Sequence, residues 1–119
     1  MSLFANLFNR RTPPPDAGWI EADDLSARLT RDRAPVVVDV RGSDEFGGAL
    51  GHIGGAINVP LPDLAAQIPA LLGRAAPLVL VCKTDRRSAA AAAQLRAAGA
   101  SDVLMLRGGM ERWRALGLP

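Results

Sequence analysis

The transition that decides the fold lies in Pro77-Leu78-Val79-Leu80-Val81-Cys82-Lys83-Thr84-Asp85-Arg86-Arg87-Ser88-Ala89-Ala90. The stretch begins with a short run of branched apolar residues, which is typical of a strand buried on both faces of a parallel sheet. It ends in alanines, which have the highest helix propensity of all residues. The stretch therefore predicts a strand, a short basic loop and a helix in succession, with Cys82 at the end of the strand.

The same alternation of strand and helix patterns extends over most of the chain. Apolar runs predict strands at residues 19–20, 36–40, 56–59, 78–81 and 103–106. Helical spacing predicts helices at residues 23–30, 61–72, 88–98 and 110–116, with Gly73 and Gly99 closing two of them and a glycine-rich loop at 46–55. Strands that alternate with helices predict an α/β domain with a mainly parallel sheet of about five strands and helices on both faces.

Length and composition indicate one globular domain preceded by a tail. The chain has 119 residues, of which 49% are hydrophobic and 22% charged, and its net charge is +2. The prolines of Thr12-Pro13-Pro14-Pro15-Asp16 predict a stiff spacer, so we expect a tail and spacer over residues 1–17 and a folded domain over residues 18–119. The small net charge argues against nucleic acid as a partner.

The tail carries apolar residues at the spacing of one helical face, namely Leu3, Phe4, Leu7 and Phe8. A loose terminus without function is the simpler interpretation, and contact with a membrane surface, a partner or its own domain are the alternatives. No apolar run has the length of a membrane span, and the N-terminus lacks the pattern of a secretory signal. We therefore expect a cytoplasmic protein without stable membrane association.

Cys82 is the only cysteine and His52 the only histidine, which excludes an intrachain disulfide and argues against a thiolate metal site. A lone thiol fits a reducing compartment. Ligands of parallel sheets bind beyond the carboxyl ends of the strands, where Cys82, Asp39 and Arg41 are expected to lie. An inert buried thiol is the alternative to a reactive one.

The loop after Cys82 combines groups that stabilise negative charge. Backbone amides, a helix N-terminus and the side chains of Lys83, Arg86 and Arg87 are expected around the sulfur. Cations are unfavourable at a helix N-terminus, so two arginines there indicate a bound anion. We therefore expect Cys82 to react as a thiolate with an anionic substrate.

Three motifs, in this order along the chain, resemble those of rhodanese domains. The first comprises Asp39-Val40-Arg41, Glu45-Phe46 and Gly51-His52-Ile53-Gly54-Gly55-Ala56-Ile57-Asn58-Val59-Pro60. The second, which resembles the active-site loop, is Cys82-Lys83-Thr84-Asp85-Arg86-Arg87-Ser88, and the third, which resembles the closing motif, is Gly108-Gly109-Met110-Glu111-Arg112-Trp113. Across residues 18–119 the chain thus resembles the single-domain rhodanese-like sulfurtransferases.

The resemblance implies a sulfurtransferase of rhodanese-like α/β fold that uses no metal and no organic cofactor. It implies that Cys82 takes a sulfane sulfur from a donor such as thiosulfate, holds it as a persulfide and passes it to cyanide or a thiol. It also implies a substrate-binding loop whose amides surround the sulfur and whose cations hold the anionic donor, formed by Lys83, Thr84, Asp85, Arg86, Arg87 and Ser88. A sulfur-relay protein is a further candidate partner.

Loop length separates this chemistry from related ones. Cys82 and Arg87 are separated by four residues, whereas cysteine-dependent phosphatases and arsenate reductases generally have five between the same two residue types. Fold analogy alone does not distinguish these activities, so the spacing is the reason to favour sulfur transfer. A non-enzymatic sulfur carrier that docks to a partner protein is the principal alternative.

Asp85 departs from the resemblance, because many single-domain rhodaneses have glycine at this position. If the position needs a positive φ, aspartate is among the few other residues that adopt it. The carboxylate is expected to oppose anion binding, so Asp85→Gly is expected to raise thiosulfate turnover.

The remaining polar residues near the predicted site are assigned supporting roles. Asp39 and Arg41 are expected to form a structural ion pair that organises the loops rather than to act in catalysis. His52 lies in a glycine-rich turn and is expected to bond to the backbone rather than to act as a base. Trp113 is expected to pack the last helix against the sheet.

Overall fold

The computed structural model describes residues 17–119 and shows a five-stranded parallel sheet with helices on both faces. The strands are β1 (Trp19–Ile20), β2 (Val36–Asp39), β3 (Ile57–Asn58), β4 (Leu78–Val81) and β5 (Val103–Leu106), in the order β1-β5-β4-β2-β3. The helices are α1 (Ala22–Arg28), α2 (Ser43–Phe46), α3 (Leu64–Leu72), α4 (Arg86–Ala97) and α5 (Gly109–Ala115), with a 3-10 turn at Leu61–Asp63. The predicted α/β fold is confirmed.

The predicted tail falls almost entirely outside the described residues. Leu3, Phe4, Leu7, Phe8 and the proline spacer all precede residue 17, and the division of the chain at residue 17 stays a prediction. Within residues 17–119, no helix combines the length and apolar character needed to cross a membrane.

Alternating side chains of β4 build a core on each face of the sheet, because successive strand residues point to opposite sides. Leu78 and Leu80 belong to the cluster that includes Cys82 and the buried side chains of α3 and α4. Val79 and Val81 belong to the cluster formed with α1 and α5. Trp113 of α5 is buried in this second cluster, as expected. Cys82 thus lies under α4, and α5 approaches from the opposite face.

Parallel register brings the ends of β2 and β4 to one edge of the sheet. Asp39 pairs with Val81 across these strands, and the Val40 N–H donates to the Val81 carbonyl at 2.9 Å. The residues that follow each strand therefore emerge side by side. This edge holds Cys82 after β4 and Arg41 after β2.

Several boundaries differ from the sequence prediction for identifiable reasons. Helix α4 begins at Arg86 rather than at residue 88, so both arginines occupy its first turn. Gly73 ends α3 with φ −72°, and the left-handed residue of that connection is Ala75 at φ 51°, whereas Gly99 does adopt a positive φ. Helix α2 was not predicted, because four residues are too few to show an apolar period.

Candidate active site

Cys82 is 1% exposed and lies at the base of the loop that joins β4 to α4. Its Sγ accepts the backbone N–H of Ser88 at 3.3 Å and lies 3.6 Å from the Ser88 hydroxyl oxygen. A backbone donor aimed at a sulfur from the first turn of a helix stabilises negative charge on that atom. The predicted juxtaposition of thiol, loop and helix start is therefore present.

Helix α5 holds the loop from the other side of the sheet. The N–H of Met110 donates to the Cys82 carbonyl at 2.9 Å, and the N–H of Glu111 donates to the Lys83 carbonyl at 3.1 Å. Gly109 permits this approach, because it adopts φ +54° and a Cβ at that position would overlap the Cys82 carbonyl oxygen. The glycine pair that opens α5 therefore fixes the backbone that carries the thiol.

Asp85 does not have the positive φ considered from the sequence, and its carboxylate is hydrogen-bonded to the start of α5. Its φ is −132°, so no positive φ is required there, and its Oδ1 accepts the N–H of Gly108 at 2.8 Å. The carboxylate thus faces the start of α5, and Asp85 is absent from the lining of the cleft above Cys82. The residue ties the loop to α5, and its predicted effect on anion binding is to be tested by the kinetics of Asp85→Gly.

A cleft of about 460 Å³ opens above Cys82. Its lining consists of the thiol, the loop that follows it, one residue of the 3-10 turn and the first turns of α4, namely Leu61, Cys82, Lys83, Thr84, Arg86, Arg87 and Ala90. Three of the seven residues are cations, so the cleft suits a small anion that must approach the sulfur. Ser88 is fully buried beneath this surface and contacts the sulfur instead of lining the cleft.

The three cations differ in how far other residues neutralise them. Arg87 forms two hydrogen bonds with the Glu45 carboxylate at 2.6 and 2.9 Å. Lys83 lies 3.7 Å from Glu111 in an exposed pair. Arg86 is exposed and has no ion pair with any residue in the range 17–119. Arg86 therefore offers the most available positive charge in the cleft.

Glu45 is the site residue that the sequence reasoning missed. The hydrogen bond from Arg87 lowers the pKa of the Glu45 carboxyl from 4.5 to about 2, outweighing the opposite effect of burial, and the Gly42 N–H adds to it. The same hydrogen bond raises the pKa of Arg87. Glu45 stands in the first rhodanese-like motif, but its contact with a residue 42 positions away has no signature in local sequence.

Asp39 and Arg41 form an ion pair in which both side chains are 1% exposed, with Arg41 Nη2 2.8 Å from Asp39 Oδ2. The remaining donors of Arg41 bind the carbonyls of Glu45 at 3.2 Å and Gly51 at 2.7 Å. Neither residue lines the cleft above Cys82. The pair therefore organises the segment that carries Glu45, and through it the position of Arg87.

His52 is not among the residues that line the cleft above Cys82. Its Nδ1 is 2.9 Å from the Phe46 carbonyl oxygen, and its ring stacks on that of Phe46 with 3.7 Å between centroids. The contact is to the backbone, as the glycine-rich turn suggested. Among residues 17–119, no group of three or more His, Cys, Asp or Glu side chains is placed to hold a metal ion.

Comparisons with known proteins identify the family of this chain. The sequence profile of the rhodanese-like domain matches residues 21–116. The chain belongs to the rhodanese-like family. This rhodanese-like domain is 40% identical over 90 residues to the thiosulfate sulfurtransferase GlpE of Pseudomonas aeruginosa, covering 76% of this chain and 79% of GlpE.

Two further proteins extend the comparison. The rhodanese-like domain is 39% identical over 93 residues to the uncharacterized protein slr1261 of Synechocystis sp., covering 77% of this chain and only half of that relative's length. The crystal structure of a rhodanese-related protein from Thermoplasma volcanium superposes with a TM-score of 0.72 at 30% identity, covering 85% of this chain and 94% of that one. The named relatives and the shared family support a sulfurtransferase.

Proposed function

We propose that this rhodanese-like domain moves a sulfane sulfur from a small anionic donor such as thiosulfate to cyanide or a thiol, through a persulfide on Cys82. The observation that carries the proposal is the Cys82 sulfur at the base of a cationic cleft, with the Ser88 N–H 3.3 Å away. Similarity to a thiosulfate sulfurtransferase supports the choice of donor. Residues 18–119 form the catalytic domain in this proposal, and a free reactive thiol favours a cytoplasmic location.

The first half-reaction is a displacement at sulfur. The Cys82 thiolate attacks the outer sulfur of thiosulfate, a new S–S bond forms, and the S–S bond of thiosulfate breaks with its electron pair leaving on sulfite. The thiolate is the attacking form because it is far more nucleophilic than the thiol. Charge is conserved, since one thiolate and one dianion become one persulfide anion and one sulfite dianion.

The second half-reaction returns the enzyme to its starting state. Cyanide or a thiolate attacks the outer sulfur of the persulfide, and the Cys82 thiolate leaves with the electron pair of the broken S–S bond. Thiocyanate or a small persulfide is the product. No proton transfer is required at the sulfur in either displacement, so the proposal needs no general base, and His52 is given no catalytic role.

The cationic residues divide the task of holding the donor. Arg86 and Lys83 would bind the sulfonate oxygens of thiosulfate, because Arg86 is unpaired within residues 17–119 and Lys83 is only weakly paired. Arg87 is held by Glu45 and would shape the wall of the cleft. The amides of residues 83–88 would complete the cradle around the transferred sulfur.

Intact mass spectrometry tests the proposal. The wild type and Cys82→Ser are each incubated with thiosulfate, desalted and weighed, and only the wild type should gain one sulfur atom. Steady-state thiocyanate production then separates an enzyme from a sulfur carrier, which would load sulfur but turn over poorly. Absence of a sulfur adduct with thiosulfate and with other sulfane donors would refute the proposed function.

A further inference from the structure

Ser88 places a buried hydroxyl beside the proposed nucleophile. The residue is 0% exposed and lies in the first turn of α4. Its side-chain oxygen is 3.6 Å from the Cys82 sulfur, and its backbone N–H donates to the same sulfur at 3.3 Å. One residue therefore presents two groups that are capable of donating a hydrogen bond to one sulfur atom.

The hydroxyl is engaged elsewhere while Cys82 is a thiol. The Ser88 hydroxyl donates to the Asp85 carbonyl oxygen at 3.0 Å, and the Cys82 S–H donates to the Ser88 oxygen. A serine hydroxyl has a single hydrogen to donate and rotates freely about its C–O bond. Loss of the thiol proton to solvent removes the S–H donor and leaves an anionic acceptor at the same distance.

Rotation of the hydroxyl toward the thiolate leaves no backbone group without a partner. The Asp85 carbonyl oxygen also accepts the N–H of Ala89 at 3.1 Å, so it stays hydrogen-bonded when the Ser88 hydroxyl turns away. A buried carbonyl without any donor would oppose the rotation, because orphaned buried polar groups are costly. The helix geometry therefore permits the hydroxyl to exchange acceptors.

We propose that Ser88 is a catalytic residue whose hydroxyl moves from the Asp85 carbonyl to the Cys82 sulfur each time that sulfur carries negative charge. This inference rests on the proposed sulfurtransferase function for its role in turnover. In loading, the hydrogen bond stabilises the thiolate before it attacks the donor. In discharge, it stabilises the same atom as the leaving group when an acceptor removes the outer sulfur.

The two half-reactions respond differently to this hydrogen bond. A donor on the thiolate makes it more abundant but less nucleophilic, so the two effects partly cancel in loading. In discharge the thiolate is the leaving group, so the hydrogen bond from Ser88 accelerates this step without an opposing effect on nucleophilicity. Loss of the hydroxyl should therefore slow discharge by about tenfold, as expected for one hydrogen bond to a charged group, and should not slow loading at high pH, where the sulfur is a thiolate with or without the hydroxyl.

The test compares Ser88→Ala and Ser88→Thr with the wild type. Ser26→Ala in α1 is the matched control, because it removes a serine hydroxyl that has no contact with Cys82. Thermal unfolding confirms that each variant is folded, and Ser88→Gly, which removes the same hydroxyl, replaces the alanine variant if that variant does not fold. The rate of Cys82 alkylation by iodoacetamide is then measured as a function of pH. Single-turnover experiments measure loading with thiosulfate and discharge with cyanide.

The expected outcome is an alkylation profile of Ser88→Ala displaced to higher pH and a discharge step slowed by about tenfold. Ser88→Thr should stay within a few-fold of the wild type because it keeps the hydroxyl. An unchanged alkylation profile in the folded alanine or glycine variant would overturn the role of Ser88. Alkylation needs no sulfur donor, so this result is separate from a failure of the wild type to form a persulfide.

Discussion

At the scale of single residues, neighbours in the active-site loop have different tasks. Arg87 is bound to Glu45 by two hydrogen bonds, whereas the adjacent Arg86 has no ion pair within residues 17–119 and lines the same cleft. Asp85, one position earlier, points its carboxylate at Gly108. Of these three consecutive charged residues, Asp85 anchors the loop, Arg87 is held in the wall of the cleft, and Arg86 is the one proposed to bind the anion.

Replacing Arg86 with glutamine should raise the KM for thiosulfate by about fivefold, because an exposed charge pair contributes up to about 1 kcal/mol. The effect should shrink as salt is added, since exposed charges are screened. Steady-state kinetics at low and high salt measure both. Arg31→Gln is the matched control, because it removes the same charge from an exposed position in the connection between α1 and β2. Equal effects from both variants would contradict a local role for Arg86.

Asp85→Gly should lower thiosulfate turnover, in contrast to the expectation from sequence. The glycine variant loses the hydrogen bond from the Gly108 N–H, which ties the loop to α5, and about 1 kcal/mol of stability with it. Asp85→Asn keeps a side-chain oxygen as acceptor and should stay close to the wild type in both properties. Thermal unfolding measures the stability of the two variants, and thiocyanate production measures their turnover. Faster turnover in Asp85→Gly would restore the view that the carboxylate repels the donor.

At the scale of secondary-structure elements, the site depends on three segments meeting at one sheet edge. Strand β4 carries the thiol, α4 donates the Ser88 N–H to the sulfur, and α5 donates its Met110 and Glu111 amides to the carbonyls of Cys82 and Lys83. The two helices lie on opposite faces of the sheet, so the loop is held from both sides. A change at the start of α5 should therefore reach the sulfur without altering any cleft residue.

Gly109→Ala should displace the loop, because its Cβ would overlap the Cys82 carbonyl oxygen and the Lys83 backbone. Persulfide loading should fall by at least about tenfold, since a small misplacement of a reacting group has large kinetic effects. Gly117→Ala is the matched control, with a similar φ of +69° but nothing within 4 Å of the added Cβ. It should lose only about 1–2 kcal/mol of stability from backbone strain. Equal loading in both variants would argue against a role for the hydrogen bonds from α5 in positioning the loop.

At the scale of the whole molecule, a chain of polar contacts links the segments that follow the neighbouring strands β2 and β4. The Asp39–Arg41 pair follows β2 and binds the Glu45 carbonyl, and the Glu45 side chain grips Arg87 at the start of α4 after β4. The Asp39–Arg41 pair is buried, whereas the Glu45–Arg87 pair is partly exposed. Removing one partner should therefore destabilise the fold far more in the first pair than in the second.

The Glu45–Arg87 pair should add a pH-dependent component to stability. The folded-state pKa of Glu45 is lowered to about 2, so the contribution is complete above the unfolded value of 4.5 and is lost as pH falls from 4.5 toward 2. Because the side chains are 34% and 36% exposed, the contribution is at most about 1 kcal/mol. Urea unfolding at several pH values should show the wild type converging on Glu45→Gln in this window. A constant difference, or equal convergence for exposed Asp44→Asn, would contradict it.

The α/β class, the parallel sheet and the position of Cys82 at the end of β4 could all be predicted from the amino-acid sequence. These follow from the spacing of apolar residues over a few turns or strand residues, which is a local property. The family could likewise be recognised from the sequence, because each of its three motifs is a short stretch of the chain. Boundaries such as the start of α4 were less accurate, because the arginines of its first turn carry no apolar signal that marks a helix start.

The partners that neutralise and anchor the charged residues of the loop become apparent only in the folded protein. The partner of Arg87 is 42 residues away and that of Asp85 is 23 residues away, so neither contact leaves a local pattern. The hydrogen bond between the Asp85 carboxylate and the Gly108 N–H gives this residue a structural role that its charge alone did not indicate. The physical reason is that hydrogen bonds and ion pairs depend on distance in space, and the parallel sheet brings distant segments to one edge.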